Sequence, residues 1–337
     1  MNEPKIAVLI PCYNEEMTIA RVVEDFSRVL PEAQIYVYDN NSDDGTAEIA
    51  TEHGAIVRFE HRQGKGNVVR TMFREIDADY YLMVDGDDTY PAEAALDLLT
   101  PLFKGEANFV IGDRLSNGTY ANQNRRSFHN FGNVLVRKLI NWAYSGNIHD
   151  IMTGYRAFDY LFVKTMPVMS NGFEIETEMT IHALENGFLM KEVQIDYRDR
   201  PEGSVSKLNT VTDGLKVLRT IVNLVKHGKP LYFFGTIALF FCVLGLGFGV
   251  PVILEYLRTS YVWRVPTAIL ATGLMLLSMM FFMSGMILDT IVHKHKQLYL
   301  LELMKVRDMA STTANVSLQA LRSSLRAVNQ SPQTLHR

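Results

Sequence analysis

The chain has 337 residues, 47% of them hydrophobic, and a formal net charge of −4. That length allows one large or two ordinary domains, and so weak a charge gives no basic field, which argues against nucleic acid as a partner. The two cysteines, Cys12 and Cys242, lie far apart in apolar settings; this excludes a disulfide framework or a cysteine-based zinc site and suits a reducing compartment.

The first residues, MNEPKIAVLIPCYNEE, are not expected to form a signal peptide, because the apolar stretch is short and acidic residues follow it. Over the first 200 residues, β-rich runs recur (IAVLIP, QIYVYD, AIVRF, YYLMVD, NFVIG and KEVQIDY), with helical patterns between them. In EMTIARVVEDFSRVL, Ile19, Val22, Val23, Phe26 and Leu30 share one face of a helix. Strands alternating with helices predict an α/β domain with a largely parallel, doubly wound sheet that binds ligands at the carboxyl ends of its strands. Polar clusters fall at three of those ends: CYNEE after the first strand, DNNSDDGT after the second and DGDDTY after the fourth.

DGDDTY places Asp85, Asp87 and Asp88 within four positions. Carboxylates this close repel one another unless something positive is held between them. Asp85 and Asp87, two apart in extended chain, point the same way, and two hard oxygen donors on one side can hold Mg²⁺ or Mn²⁺. QGKGN, residues 63–67, lacks the spacing and the final Ser/Thr of a P-loop, and no GxGxxG follows the first strand. A metal-bridged nucleoside diphosphate against the first two loops remains, with Asp39 able to accept from a base or a ribose hydroxyl.

Beyond residue 207 the composition changes. VTDGLKVLRTIVNLVKHGK sets Leu215, Leu218, Ile221, Val222 and Val225 against Lys216, Arg219 and Lys226, the pattern of a helix lying along lipid headgroups. Leu231–Leu254 and Pro266–Leu288 carry no charge, and each exceeds the roughly 20 residues needed to cross hydrocarbon as a helix. Tyr256, Tyr261 and Trp263 lie in the link between them; Lys226 and Lys229 precede the first run and HKHK follows the second. The positive-inside rule then puts both ends in the cytoplasm and the link outside. The histidines of HKHK read as basic anchoring rather than a metal site. After Asp308 the chain turns polar and reads as a tail with one weak helical stretch.

PCYNEE, YDNNSDDGT, GKGN, DGDDTYP, GDR, DIMTGYR and RPEGSVSK, in this order between about Lys5 and Lys207, resemble a family-2 glycosyltransferase of the GT-A fold. More narrowly the chain is similar to the polyprenyl-phosphate glycosyltransferases, the group of the dolichyl-phosphate mannose synthases and the bacterial undecaprenyl-phosphate glucosyltransferases. The resemblance implies a Rossmann-like, doubly wound mixed sheet followed by two transmembrane helices, and this division of the chain: 1–207 catalytic, 208–229 interfacial helix, 230–292 membrane helices, 293–337 cytoplasmic tail. It implies that Pro11, Tyr13, Asn14 and Glu15 line the nucleotide pocket with Asp39 beside the base, and that Lys65, Asp85 and Gly86 also serve the donor. Asp87 would be the principal metal ligand and a catalytic residue. Two positions depart from the pattern: Asn40 stands where many members have a second Asp, and Thr89, the third metal-ligand position, where some have Gln. Arg114, Arg125, Arg126, Arg200, Ser206 and Lys207 would bind phosphate, chiefly that of the acceptor, and Asp150 would orient the acceptor or act as a weak base.

The activity implied is inverting transfer of a sugar from a nucleotide sugar to a membrane polyprenyl phosphate by a multi-pass protein of the cell (inner) membrane with its catalytic domain in the cytoplasm. A UDP-sugar is favoured over GDP-mannose, and a homo-oligomer is left open. Two rivals stand beside it. A polysaccharide synthase usually has more membrane helices and a QxxRW motif, both missing from this sequence. A non-catalytic nucleotide-sugar-binding scaffold has no need of Asp85 and Asp87.

Overall fold

A computed structural model describes residues 4–116, 137–141, 144, 146–198, 222, 226 and 228–329, with side chains as far as Asp308. Its centre is a seven-stranded sheet: β1 (Ile6–Cys12), β2 (Gln34–Asp39), β3 (Ile56–Phe59), β4 (Tyr80–Met83), β5 (Phe109–Asp113), β6 (Arg156–Asp159) and β7 (Met190–Gln194), in the spatial order β3-β2-β1-β4-β6-β5-β7. All neighbours pair in parallel except β6, which runs antiparallel to both β4 and β5. Six strands are those the sequence predicts. The seventh, β6, makes the sheet mixed; its RAFD is too short and too charged to announce a strand.

Successive residues of a strand face opposite sides of the sheet, and here both sides are covered. Ala7 and Leu9 enter one core with Tyr81, Met83, Phe109 and Phe158. That core lies under α3 (Lys65–Glu75), α5 (Tyr160–Thr165) and α6 (Ile175–Asn186). Val8 and Ile10 enter the other, with Val37, Leu82, Val110 and Tyr155, under α1 (Ile19–Val29), α2 (Thr46–Glu52) and α4 (Ala95–Phe103). Strands buried on both faces must be apolar along their whole length, which is why AVLI and YLMV carry no alternation. The five apolar residues predicted to share one face of α1 and its C-terminal extension are all buried, each worth roughly 2 kcal/mol of transfer free energy.

The chain leaves β1 toward β2 and β3 on one side and toward β4 on the other. The crevice at this switch, where ligands of such sheets bind, is bounded by the ends of β1, β2 and β4. Cys12 pairs in register with Asp39, and Leu9 with Met83.

Two helices follow, α7 (Pro230–Thr259) and α8 (Val265–Asn329). Both are long and apolar enough to cross a membrane, and their apolar windows are mostly unburied, as a soluble core helix would not be. They form a hairpin in which Phe241 stacks on Phe281 and the Ser278 hydroxyl donates to the Ala238 carbonyl (2.7 Å). The segment after Asp308, expected as a polar tail with one weak helical stretch, continues α8 without a break through Asn329. Leu, Gln, Ala and Arg in SLQALRSSLRAV, good helix formers, allow this. The interfacial helix expected over 208–229 lies almost wholly outside the described residues.

Candidate active site

β4 delivers Asp85, Gly86, Asp87 and Asp88 into the crevice as a tight turn. Asp88 adopts a left-handed backbone (φ 54°). A Cβ on Gly86 would stand 2.7 Å from Cys12 Sγ, and the Gly86 carbonyl accepts the Thr18 hydroxyl (2.7 Å), so the turn is seated on β1 and the start of α1. The three aspartates then part company. Asp88 faces Arg21 (3.1 Å) and Arg198 (3.9 Å). Burial raises its carboxyl above the usual range, against the pull of both guanidinia, so it ties the turn to α1 and the chain after β7. Asp87 is buried, and its Oδ1 accepts from the Thr89 hydroxyl (2.7 Å) and amide (3.3 Å). Thr89, expected as a third ligand, is thus brought to the site as a donor that orients Asp87.

Asp85 takes a cation from its own chain. Lys65 Nζ lies 2.5 Å from Asp85 Oδ1 and 2.6 Å from Glu176 Oε1. Burial alone would push the ammonium down; the two carboxylates outweigh it and hold the group above its ordinary range. Lys65 opens α3, and the loop before it is packed very closely: a Cβ on Gly64 or Gly66 would overlap the carbonyls of Asn171 or Ser170. Arg70 secures that opposing segment through the carbonyls of Val168 (2.8 Å) and Ser170 (3.0 Å). Glu176, in the first turn of α6, has no counterpart among the residues singled out from sequence. FEIETEM reads simply as a helix, and its partner lies 111 positions earlier.

Across the crevice the first two strand ends interlock. Asn14, also left-handed (φ 53°), receives Asp43 N–H on its Oδ1 (2.8 Å) and donates its own N–H to Ser42 Oγ (2.9 Å); Glu15 N–H donates to Thr46 Oγ1 (2.8 Å). Pro11 pairs in register with Tyr38, and Tyr13 is half-buried beside this loop. Asp39 is 3% exposed; its Oδ2 accepts from Ser42 N–H (3.1 Å), while its Oδ1 is buried with no hydrogen-bond partner among the described residues. A buried carboxylate oxygen left so is costly, and Asp39 can accept one further donor there. Asn40 is committed elsewhere: its amide donates to the carbonyls of Glu60 and Arg62, and its Oδ1 accepts Gly64 N–H (2.6 Å). It therefore ties the β2 loop to the loop carrying Lys65.

Behind the turn lies a second ion pair. Arg114 grips Asp150 with two bonds, Nε to Oδ2 (2.7 Å) and a terminal nitrogen to Oδ1 (3.1 Å), in a buried setting. Its guanidinium lies 5.9 Å over the Tyr90 ring and 5.5 Å over that of Tyr197. In this arrangement Asp150 is a counter-ion for Arg114. The loop carrying Asp150 is fixed from both sides. Glu192 Oε1 accepts the N–H groups of His149 (2.7 Å) and Asp150 (3.1 Å). Arg156, wholly buried, donates to the carbonyls of Ile151 (2.5 Å) and Thr153 (2.9 Å), and burial pulls its guanidinium down to about 10. The two ion pairs adjoin through Gly154. A Cβ there would overlap the Asp85 carboxylate, and Gly154 N–H donates to the Tyr90 hydroxyl (2.9 Å), itself 3.2 Å from Arg114. Asp85, Gly86, Asp87, Lys65, Arg114 and Asp150 are thus brought together. Arg125, Arg126, Arg200, Ser206 and Lys207 lie outside the described residues.

A further group, Asp113, His149 and Glu192, sets three potential ligand atoms within 4.8 Å of one another, but its carboxylates already accept from Leu115, Ser116 and His149. Asp85 and Asp87 offer a hard divalent ion two carboxylates from one turn, each with one oxygen engaged, by Lys65 and by Thr89 respectively.

Residues 7–164 match the family described as Glycosyl transferase family 2. Glycosyltransferase AglJ of Haloferax volcanii is 33% identical over 296 residues, covering 87% of this chain and 95% of that protein. This chain is a family 2 glycosyltransferase. A dolichyl-phosphate hexose transferase of Haloferax volcanii is 30% identical over 217 residues, 64% of this chain and 92% of the relative. An undecaprenyl-phosphate mannosyltransferase of Micrococcus luteus is 27% identical over 245 residues, 66% of this chain and 94% of the relative. Among solved structures, glucosyl-3-phosphoglycerate synthase from Mycobacterium tuberculosis, in complex with Mn²⁺, uridine diphosphate and phosphoglyceric acid, superposes with a TM-score of 0.54. That match covers 67% of this chain and 78% of that chain at 18% identity, a likeness of fold that confirms the GT-A architecture.

Proposed function

We propose that this glycosyltransferase moves a sugar from a nucleoside diphosphate to a polyprenyl phosphate held in the membrane, with inversion at the anomeric carbon. The observation that carries this reading is the pairing of carboxylates at the ends of β2 and β4, Asp39 with a buried oxygen that no described residue bonds and Asp85 with Asp87, in a chain that continues into two membrane-length apolar helices. Relatives named for dolichyl-phosphate and undecaprenyl-phosphate substrates support it. The Asp39 oxygen suits a ring N–H, which uracil and guanine both offer; the uridine diphosphate in the neighbouring fold favours a UDP-sugar over GDP-mannose. Asp85 and Asp87 would hold Mg²⁺ or Mn²⁺. When bound, that ion supplies positive charge where the nucleoside diphosphate departs.

The rest falls to the chain itself. A lipid monophosphate is already anionic, so its oxygen needs no strong base to attack the anomeric carbon, and committing Asp150 to Arg114 costs the reaction nothing. The new C–O bond forms as the bond to the donor's diphosphate breaks, and the leaving group keeps the electron pair. Catalysis then rests on alignment and on charge. Lys65, fixed by Glu176, sets Asp85. Arg125, Arg126, Arg200, Ser206 and Lys207 are the reserve of groups for the acceptor phosphate, whereas the Arg114 guanidinium is committed to Asp150 and Tyr90.

The test is to offer purified full-length protein a panel of nucleotide sugars with undecaprenyl phosphate in vesicles and to determine product identity and anomeric configuration. A lipid-linked sugar of inverted configuration is expected. Turnover only with water-soluble acceptors would overturn the lipid assignment, and retention would overturn the single displacement.

A further inference from the structure

Helix α8 does not stop at the membrane. Its uncharged run ends at Leu288, and Tyr299 lies about 16 Å further along the same helix at about 1.5 Å per residue. There the stem meets the catalytic domain. Tyr299 Oη lies 3.0 Å from His182 Nε2 on α6 and 3.1 Å from Thr165 Oγ1 at the end of α5, and its ring stands edge-on to the imidazole at 5.3 Å.

The proton positions in this contact follow from its neighbours. Thr165 spends its hydroxyl proton on the Leu161 carbonyl (2.6 Å), so its oxygen accepts from Tyr299. Tyr299 then accepts from His182 Nε2–H, which leaves Nδ1 to accept from the Asn186 amide (3.3 Å). This order needs a neutral imidazole, and burial holds His182 down to about 4. Every polar group of the joint is satisfied, as in a folded interior.

The other membrane helix lands on the same part of α6. The Tyr144 hydroxyl donates to Glu185 (2.9 Å), Lys229 lies over the Tyr144 ring at 5.8 Å, and a Cβ on Gly228 would crowd both Tyr144 and Glu185. The last turns of α6 therefore seat the entry to α7 and the stem of α8. About 9 Å back along α6, Glu176 holds Lys65 against Asp85.

We propose that Tyr299 is a positioning residue: it docks the stem of the second membrane helix on α5 and α6 and so fixes how the donor site faces the bilayer. The inference rests on the polyprenyl-phosphate reading for its kinetic consequence but not for the docking itself. In lipid nanodiscs, Tyr299→Phe keeps the ring and removes the hydroxyl. Backbone hydrogen exchange in the C-terminal half of α6 should quicken about fivefold, the worth of one net hydrogen bond. KM for undecaprenyl phosphate should rise by a similar factor, while KM for the donor and turnover of a short, water-soluble isoprenyl phosphate stay unchanged. Tyr299→Ala should exaggerate both effects. His182→Gln, whose amide can still donate to Tyr299, should stay closer to wild type than His182→Ala. Unchanged exchange in Tyr299→Ala would overturn the docking. Quickened exchange with equal loss on both acceptors would overturn the positioning role and leave a merely structural one. If wild type turns over neither acceptor, the functional reading fails, and exchange in α6 still decides the docking.

Discussion

Within the turn that ends β4, three aspartates that look equivalent in sequence have separate fates. Asp88 is spent on Arg21 and Arg198, Asp85 is matched to Lys65, and Asp87 is oriented by Thr89. Asp87→Ala should therefore abolish transfer, a loss of about a thousandfold, as several kcal/mol of charge stabilisation at the leaving group would give. Initial rates across a Mn²⁺ series, with circular dichroism to confirm folding, check it; near-normal turnover would remove Asp87 from the metal site. Chelation of divalent ions should stop the wild type as well. Lys65 is a stability residue too. Lys65→Met leaves Asp85 and Glu176 facing each other in a largely buried space, a cost on the order of 3 kcal/mol for breaking such a pair. Adding Glu176→Gln removes one of the stranded charges and should recover part of that loss. Denaturant unfolding of the single and double variants in detergent measures the coupling, and a double variant no better than Lys65→Met would show that the two side chains act independently.

Elements meet at loops, and the loop leaving β3 depends on one carboxylate. Glu60 is hydrogen-bonded by Arg62, whose guanidinium is its main support, and by the Thr71 hydroxyl of α3; against burial, these hold its carboxyl down at about 2. Because the folded value lies below the unfolded one of about 4.3, Glu60 contributes stability above pH ~4.3. That contribution is lost as pH falls from there toward about 2. Glu60→Gln should flatten the fall in thermal midpoint across this window, and parallel curves for variant and wild type would show that Glu60 carries none of it. How legible these elements were follows from whether their signal is local. The strands β1–β5 and β7 and the buried stripe of α1 announce themselves through runs and periodicity, and the polar strand ends point to the rim. β6 does not, since RAFD takes its strand state from β4 and β5 on either side. Glu176 and Glu192 carry no such signal, since each acts on a segment distant in sequence; DIMTGYR includes Arg156, but its grip on backbone carbonyls does not show in the motif. The full length of α8 is a further case: composition after Asp308 suggests a polar tail with one weak helical stretch, and the helix runs on through Asn329.

For the whole molecule, the question is what the membrane helices do for the catalytic domain, and two truncations separate anchoring from docking. A chain ending at Lys229 loses both helices and, with them, the cover that Tyr299 gives His182. A chain ending at Lys294 keeps both apolar runs and loses only the docked stem. If anchoring is their main service, its value is that of confining enzyme and lipid to one surface, where effective concentration can raise apparent affinity by about a hundredfold or more without any new contact. The 1–229 chain should therefore fall by at least about that factor on long-chain lipid in vesicles, while part of its turnover of a short, soluble isoprenyl phosphate survives. The 1–294 chain should remain in the membrane fraction and fall between the two, because it meets the lipid often but with its domain less firmly oriented. Initial rates on both acceptors, with sedimentation of the vesicles to confirm anchoring, give the comparison. Should 1–229 serve long-chain lipid as well as the full chain, confinement is not what the helices provide; should 1–294 equal the full chain, the stem adds nothing to the anchor.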